Sequence, residues 1–316
     1  MEIARILCTD LAGLRAQAIG LAEAAGLTPD LRTLTIRKPW SGLSPSLWPN
    51  PLKAVDEAAI AGPLPRLIIG CGGAGARVAA GLRGPDVKVV VIQHPRMALK
   101  KFDLVFAARH DGIAGANVVI TRTALHRVTA ARLAAEAEIW CPSFAPHSRP
   151  LVAVMLGGSN GRYRFDAVAA ELFAHQLATM MRRDGTGVMI TPSRRTGHEV
   201  IAILRRVLEP LGAWIWDGTG ENPYFGMLGL ADALIVSADS VSMVSEAVAT
   251  SKPVFLLRLP GKSSRIGAFM DMLVAEGRVK DFAGRFETWD CAPLDDTPLA
   301  GARLRQLLEI QESGSC

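Results

Sequence analysis

The stretch SADSVSMVSEAVATSKPVFLLRLPG, residues 237–261, decides the fold. The residues before it, ALIV at 233–236, form the short apolar run of a strand buried on both faces. Asp239, Ser240 and Ser242 crowd the place where a helix should begin. Such side chains accept hydrogen bonds from the free N–H groups of a first helical turn. Pro253 blocks continuation of that helix, and residues 254–259 supply the next strand. A helix N-terminus at the end of a parallel strand offers N–H donors and a partial positive charge, which suits a phosphate. Glu246, one turn further on, would then hold the ribose hydroxyls of a nucleotide. The rival reading is a well-capped βαβ unit with an exposed Glu on its helix. These residues alone leave the two level.

The same alternation runs along the whole chain. In the second half, residues 151–156 read as a strand entering GGSNGR, which brings Gly158, Ser159 and Asn160 to its end. Residues 187–190 read as a strand entering TPSRRTGHE, with Ser193, Arg194 and Arg195. Arginines near a helix start repel its dipole unless an anion sits between them, so both are phosphate candidates. Ion pairing to Glu199 or Asp217 is the alternative. Strand 213–216, helix 222–230 and helix 263–275 complete this half.

In the first half, strand 3–8 ends at Asp10, and strand 66–69 runs into GCGGAGARVAAGL. Gly70, Gly72 and Gly75 match G-x-G-x-x-G. A dinucleotide site would want an acidic residue at the end of the following strand, 87–92, where Gln93 and His94 stand instead. A short-chain-type epimerase needs a Tyr with a Lys four residues later. The two tyrosines, Tyr163 and Tyr224, have Ala167 and Leu228 there. The glycines, Gly73 among them, therefore read as a close strand-to-helix turn lining a binding edge. No NAD is expected. His94 and Arg96 end strand 87–92, and Arg109, His110 and Asp111 end strand 102–107. Ligands of open parallel sheets bind beyond the carboxyl ends of the strands. His110 beside Asp111 suits a general base. The loop PWSGLSPSLWPNP, residues 39–51, is either functional or pinned by Trp40 and Trp48.

CPSFAPHSRP, residues 141–150, has three prolines and reads as the linker. The expected fold class is α/β: two doubly wound Rossmann-like domains, residues 1–145 and 151–297, facing across a cleft. Residues 298–316 would form a helix packing back on the first domain. With 49% hydrophobic and 21% charged residues the chain is globular. A net charge of +5, scattered along the chain, permits an anionic ligand or an acidic membrane surface but does not indicate nucleic acid. Five cysteines without CxxC spacing argue against disulfide and zinc frameworks. With no apolar run long enough to span a bilayer and no leader pattern, a cytoplasmic or membrane-peripheral location is expected.

ENPYFGMLGLADALIVSADSVSMVSEAVATSKPVF (221–255) resembles the signature of the elongated-mitochondria family, which comprises plant mitochondrial fission factors and bacterial relatives. LGGSN (156–160), TPSRRT (191–196), HPR (94–96), FDL (102–104) and RHD (109–111) are similar to further blocks of that family, while Ser251 stands where it mostly has Gly. The resemblance implies a GT-B-like fold and nucleotide-sugar binding. The expected activity is a metal-independent glycosyltransferase without cofactor, acting on a nucleotide-diphosphate sugar and an unassigned acceptor. Gly158, Ser159, Asn160, Ser193, Arg194, Arg195, Asp239, Ser240, Ser242 and Glu246 would bind the nucleotide. Asp10, Gly72, Gly73, His94, Arg96 and Arg109 would line the acceptor side, with His110 or Asp111 as base. The alternative is a non-catalytic binding or scaffold protein acting through partners.

Overall fold

Alternate residues of one strand feed two different cores, and this defines the first unit. In β1 (Ile3–Cys8), Ala4, Ile6 and Cys8 enter one apolar cluster while Leu7 enters another on the opposite face. A computed structural model describes residues 2–312; within it the side chains of His110 and of residues 310–312 lie outside the description. After β1 come α1 (Ala12–Ala24), β2 (Thr28–Thr33), the short α2 (Glu57–Ile60), β3 (Leu67–Cys71), α3 (Gly72–Gly81), β4 (Lys88–Ile92), β5 (Leu104–Ala108) and β6 (Val118–Thr121). The six strands pair in the order β2-β1-β3-β4-β5-β6, every pair parallel.

The second unit repeats the plan. It comprises α4 (Ala130–Phe144), β7 (Leu151–Leu156), α5 (Ala167–Asp184), β8 (Gly187–Pro192), α6 (His198–Leu208), β9 (Trp214–Ile215), α7 (Tyr224–Leu230), β10 (Ala233–Ser237), α8 (Val241–Val248), β11 (Val254–Leu257), α9 (Ser264–Ala275) and β12 (Val279–Asp281). Its sheet is also parallel throughout, in the order β12-β11-β10-β7-β8-β9. β7 is buried at all six positions, with Val152, Val154 and Leu156 on one face and Leu151, Ala153 and Met155 on the other. Each buried Val, Leu or Met among them contributes roughly 1.5–3 kcal/mol by leaving water. Thr129, Asp166, Ser240 and Ser263 cap the helices that follow them, each accepting from the third residue beyond.

The last helix, α10 (Thr297–Glu312), belongs to the first unit, where Ala300, Leu304 and Leu308 join the core beneath α1. Its entry is fixed by polar side chains. The Asp296 carboxylate accepts from the N–H groups of Arg122 and Thr123, and His126 Nε2 lies 3.2 Å from Asp295 Oδ1. The units are therefore residues 1–127 with 295–316, and residues 128–294. The chain passes between them at Arg127/Val128 and Leu294/Asp295, not within residues 141–150. The expected linker is, as far as Phe144, the last turn of α4. Pro142 is tolerated there because Trp140 and Phe144, one turn apart and stacked at 5.9 Å, pack on Trp214.

Gly70 and Gly75 let α3 lie directly on the sheet. A Cβ at Gly75 would collide with the Leu7 carbonyl, and one at Gly70 would press on the Gly75 backbone. Gly73 differs, since a Cβ there would meet only Pro45, at 3.8 Å. Gly75→Ala is therefore expected to lower unfolding stability by about 1–3 kcal/mol or more. Gly73→Ala should be neutral or stabilising by up to about 1 kcal/mol. Urea unfolding of both variants checks this, and equal stability would contradict the packing role of the motif.

Candidate functional site

Three turns at the carboxyl edge of the second sheet are tied into one polar assembly. The residue after β7, Gly157, donates its N–H to Ser237 Oγ at 2.6 Å, and its carbonyl accepts from the Ser193 and Thr196 hydroxyls. Gly157 has no space for a side chain because the Asp239 carboxylate occupies it. Gly158, at φ +155°, abuts the Arg195 carbonyl. Both glycines thus serve the packing of the turns.

Asp239 lies at the centre. Its side chain is 0% exposed, and its Oδ2 accepts from Arg195 Nη1 at 2.6 Å and from the Gly158 N–H at 3.4 Å. Its Oδ1 is buried with no hydrogen-bond partner among the described residues. A carboxylate taken out of water is held only by such pairing. Arg195 therefore pairs with Asp239 rather than with Glu199 or Asp217. The Arg195 side chain remains 40% exposed, and its Nε and Nη2 make no hydrogen bond among the described residues. Ser240 caps α8, and the Ser242 hydroxyl one step inside has no partner among the described residues.

The remaining polar residues of this edge are committed locally. The Ser159 hydroxyl exchanges hydrogen bonds with the Phe165 backbone. Asn160 Oδ1 accepts from the N–H groups of Arg162 and Tyr163, a local turn. The Ser193 hydroxyl is spent on Gly157, while Arg194 is exposed.

Glu246 corrects a sequence expectation. It is 7% exposed, not a surface residue, and Tyr224 at the start of α7 donates its phenol proton to Glu246 Oε2. Burial first, and then the Glu246 charge, push the Tyr224 phenol well above its ordinary range. The signal missed was Tyr224, 22 residues upstream, whose phenol reaches α8 only because β10 runs between the two helices. Near α7, Trp140, Trp214, Trp216, Arg205, Asp217 and Glu221 line a pocket of about 350 Å³. Asp217 is held by the Thr219 N–H and hydroxyl, which lower its pKa. No three His, Cys, Asp or Glu side chains gather in a metal-holding group among the described residues.

In the first unit, the candidates lie at the carboxyl edge of its sheet with plainer roles. Asp10 pairs with Arg15 at 2.8 Å. Gly72, at φ +73°, starts α3 against Leu14. His94 Nδ1 accepts from the Arg96 N–H at 2.9 Å, in a turn where Gln93 and Arg96 both adopt left-handed backbone. Asp111 Oδ2 accepts from the Ala108 N–H at 3.3 Å and closes its turn. The Arg109 side chain is exposed, and the side chain of His110, the other expected base, lies outside the described residues.

The sequence model of the family described as mitochondrial fission ELM1 matches residues 12–308. The chain belongs to that family. The mitochondrial fission protein ELM1 of Arabidopsis thaliana is 33% identical over 274 residues, which take in 77% of this chain and 64% of that protein. This chain thus spans less than two thirds of that relative. Among solved structures it is similar to a MnaA–UDP co-structure from S. aureus, with a TM-score of 0.54, 12% identity, and 99% and 97% of the two chains covered. It is equally similar to UDP-GlcNAc 2-epimerase of Methanocaldococcus jannaschii in complex with UDP-GlcNAc and UDP, at TM-score 0.54 and 12% identity, covering 98% of this chain and 100% of that one. At that identity the likeness shows the fold: two doubly wound parallel units of GT-B-like type.

Removing the phenol leaves a buried carboxylate short of a donor. Tyr224→Phe is expected to lower stability by about 1–3 kcal/mol. Glu246→Ala should also destabilise, where an exposed helical Glu would be nearly neutral. The folded state holds the Tyr224 proton more tightly than the unfolded chain does. Stability should therefore fall as pH rises past the ordinary phenol value of about 10. Unfolding curves of the variants, and of the wild type across alkaline pH, read these effects.

Proposed function

We propose that this chain binds a nucleotide-diphosphate sugar at the carboxyl edge of its second sheet and acts as a metal-independent glycosyltransferase of GT-B type. The observation that carries the reading is Arg195. One guanidinium nitrogen is fixed on buried Asp239, beside the capped start of α8, and the other donors are uncommitted among the described residues. A fork held in this way is pre-organised for diphosphate oxygens. The N-terminus of α8 and the Ser242 hydroxyl add donors of the same sense. Glu246, positioned by Tyr224, would take the ribose, and the pocket beside Glu221 would take the base. Helix dipole and guanidinium would stabilise the leaving diphosphate, so neither metal nor nicotinamide is required of this chemistry. His110 or Asp111 would be the acceptor's base.

One observation favours a second reading, a binding protein without transfer. The Asp111 carboxylate is engaged with the Ala108 N–H, and base catalysis would have to release it. Calorimetry with UDP-, ADP-, GDP- and CMP-sugars, with an assay for released nucleotide, separates the two. Binding with turnover supports transfer, and binding without it supports the second reading. Arg195→Lys keeps the charge on Asp239 but loses the fork. It should weaken nucleotide binding by about tenfold or more with an unchanged melting temperature. No affinity for any nucleoside diphosphate, or affinity for NAD instead, would sink both readings.

A further inference from the structure

The loop between β2 and α2 is ordered by its own interior. Trp48 is buried and donates its Nε1–H to the Trp40 carbonyl at 3.3 Å. Ile36 bridges to Val55, and the Arg37 N–H donates to the Ala54 carbonyl, which closes the base of the loop. Two successive single-turn helices, Trp40–Gly42 and Pro45–Leu47, form its outer part. Pro45 rests near Gly73 at the start of α3, so the loop sits at the carboxyl edge of the first sheet.

What this scaffold displays is apolar. Leu43 is 44% exposed and Leu47 65% exposed, four residues apart. Single exposed leucines are ordinary, but two held on adjacent rigid turns are a shaped apolar tip. The charge within its span has one sign, with Asp56 and Glu57 following just beyond it. RKPWSGLSPSLWPNPLK, residues 37–53, contains Arg37, Lys38 and Lys53 and no acidic residue. The pairing of Arg37 with Ala54 brings Lys53 to the same base as Lys38. All three cations are exposed, and their side chains make no hydrogen bond or ion pair among the described residues. Arg96 and Arg109, exposed at the same sheet edge, are likewise uncommitted there.

We propose that this loop docks the first unit onto an anionic lipid surface, Leu43 and Leu47 entering the headgroup–acyl boundary while Arg37, Lys38 and Lys53 meet lipid phosphates. A nucleic acid would use the cations but leave the leucines in water, and an acidic protein would have to bring a matching apolar pocket. A bilayer uses both, and neither signal suffices alone for stable attachment. No helix among the described residues is long and apolar enough to cross a membrane, so this contact is of the surface kind.

The test is co-sedimentation of the full chain with vesicles of phosphatidylcholine alone, or with roughly one third phosphatidylglycerol. Binding is expected to the anionic vesicles and to weaken with salt. Leu43→Ser with Leu47→Ser should reduce affinity about tenfold or more. Lys38→Gln with Lys53→Gln should reduce it about 25-fold, near fivefold per cation. Val168→Ser with Leu172→Ser, which polarises a more exposed apolar pair on α5, should leave binding unchanged. Unchanged melting temperatures show that each variant is folded. No binding to anionic vesicles would overturn the proposal. So would salt-sensitive binding indifferent to the leucine changes, which is electrostatic adsorption without insertion, or equal loss in the α5 control.

Discussion

A parallel sheet cannot face water on either side, because its crossover helices must pack somewhere and both its faces are apolar. The inner strands of both sheets obey that constraint, β3, β7, β10 and β11 being buried along their whole length, and much else follows from it. Every strand must be re-entered from the same end, so each returns its polar turn to one edge. Helices must lie close to strands, which makes Gly70 of β3 and Gly75 of α3 the packing residues where that helix meets the sheet. Function is left the carboxyl edges, where backbone N–H groups of helix starts and loop side chains collect.

At the edge of the second sheet, two carboxylates have been taken out of water, and each is answered by one long side chain. Arg195 reaches Asp239 from the turn after β8, and Tyr224 reaches Glu246 from the start of α7. Such pairs are costly to break and modest in net stabilisation, so their main effect is geometric. They fix which turn lies beside which. Gly157 and Gly158 show how tight the arrangement is, since side chains at either would strike Asp239 or the Arg195 backbone.

The strands were largely legible because short apolar runs between polar turns leave little choice. Residues 151–156 and 233–236 are near-continuous apolar runs, and they became β7 and most of β10. The capping role of Ser240 was legible for a similar reason, as its partner is three residues away. What failed depended on distant partners. Three prolines made residues 141–150 read as a linker, yet Pro142 sits in a helix held by Trp214, more than 70 residues on. Glu246 read as exposed because nothing local announces Tyr224. β12 escaped notice because two of its three residues are exposed. The Arg195–Asp239 pair joins two groups that the sequence placed at the same sheet edge, but their mutual contact was not legible in it.

The return of α10 to the first unit makes the second unit an insertion between β6 and the final helix. During synthesis the ribosome completes residues 128–294 before it makes the helix that covers α1. The usual N-terminal-first order of domain folding is thereby inverted. The nascent first unit must wait, with Ala18, Leu21 and Ala22 lacking the cover of Ala300 and Leu304 while the second unit is free to fold. That interval exposes apolar surface on an otherwise nearly finished sheet. Whatever binds transiently exposed apolar surface would meet the chain in that interval.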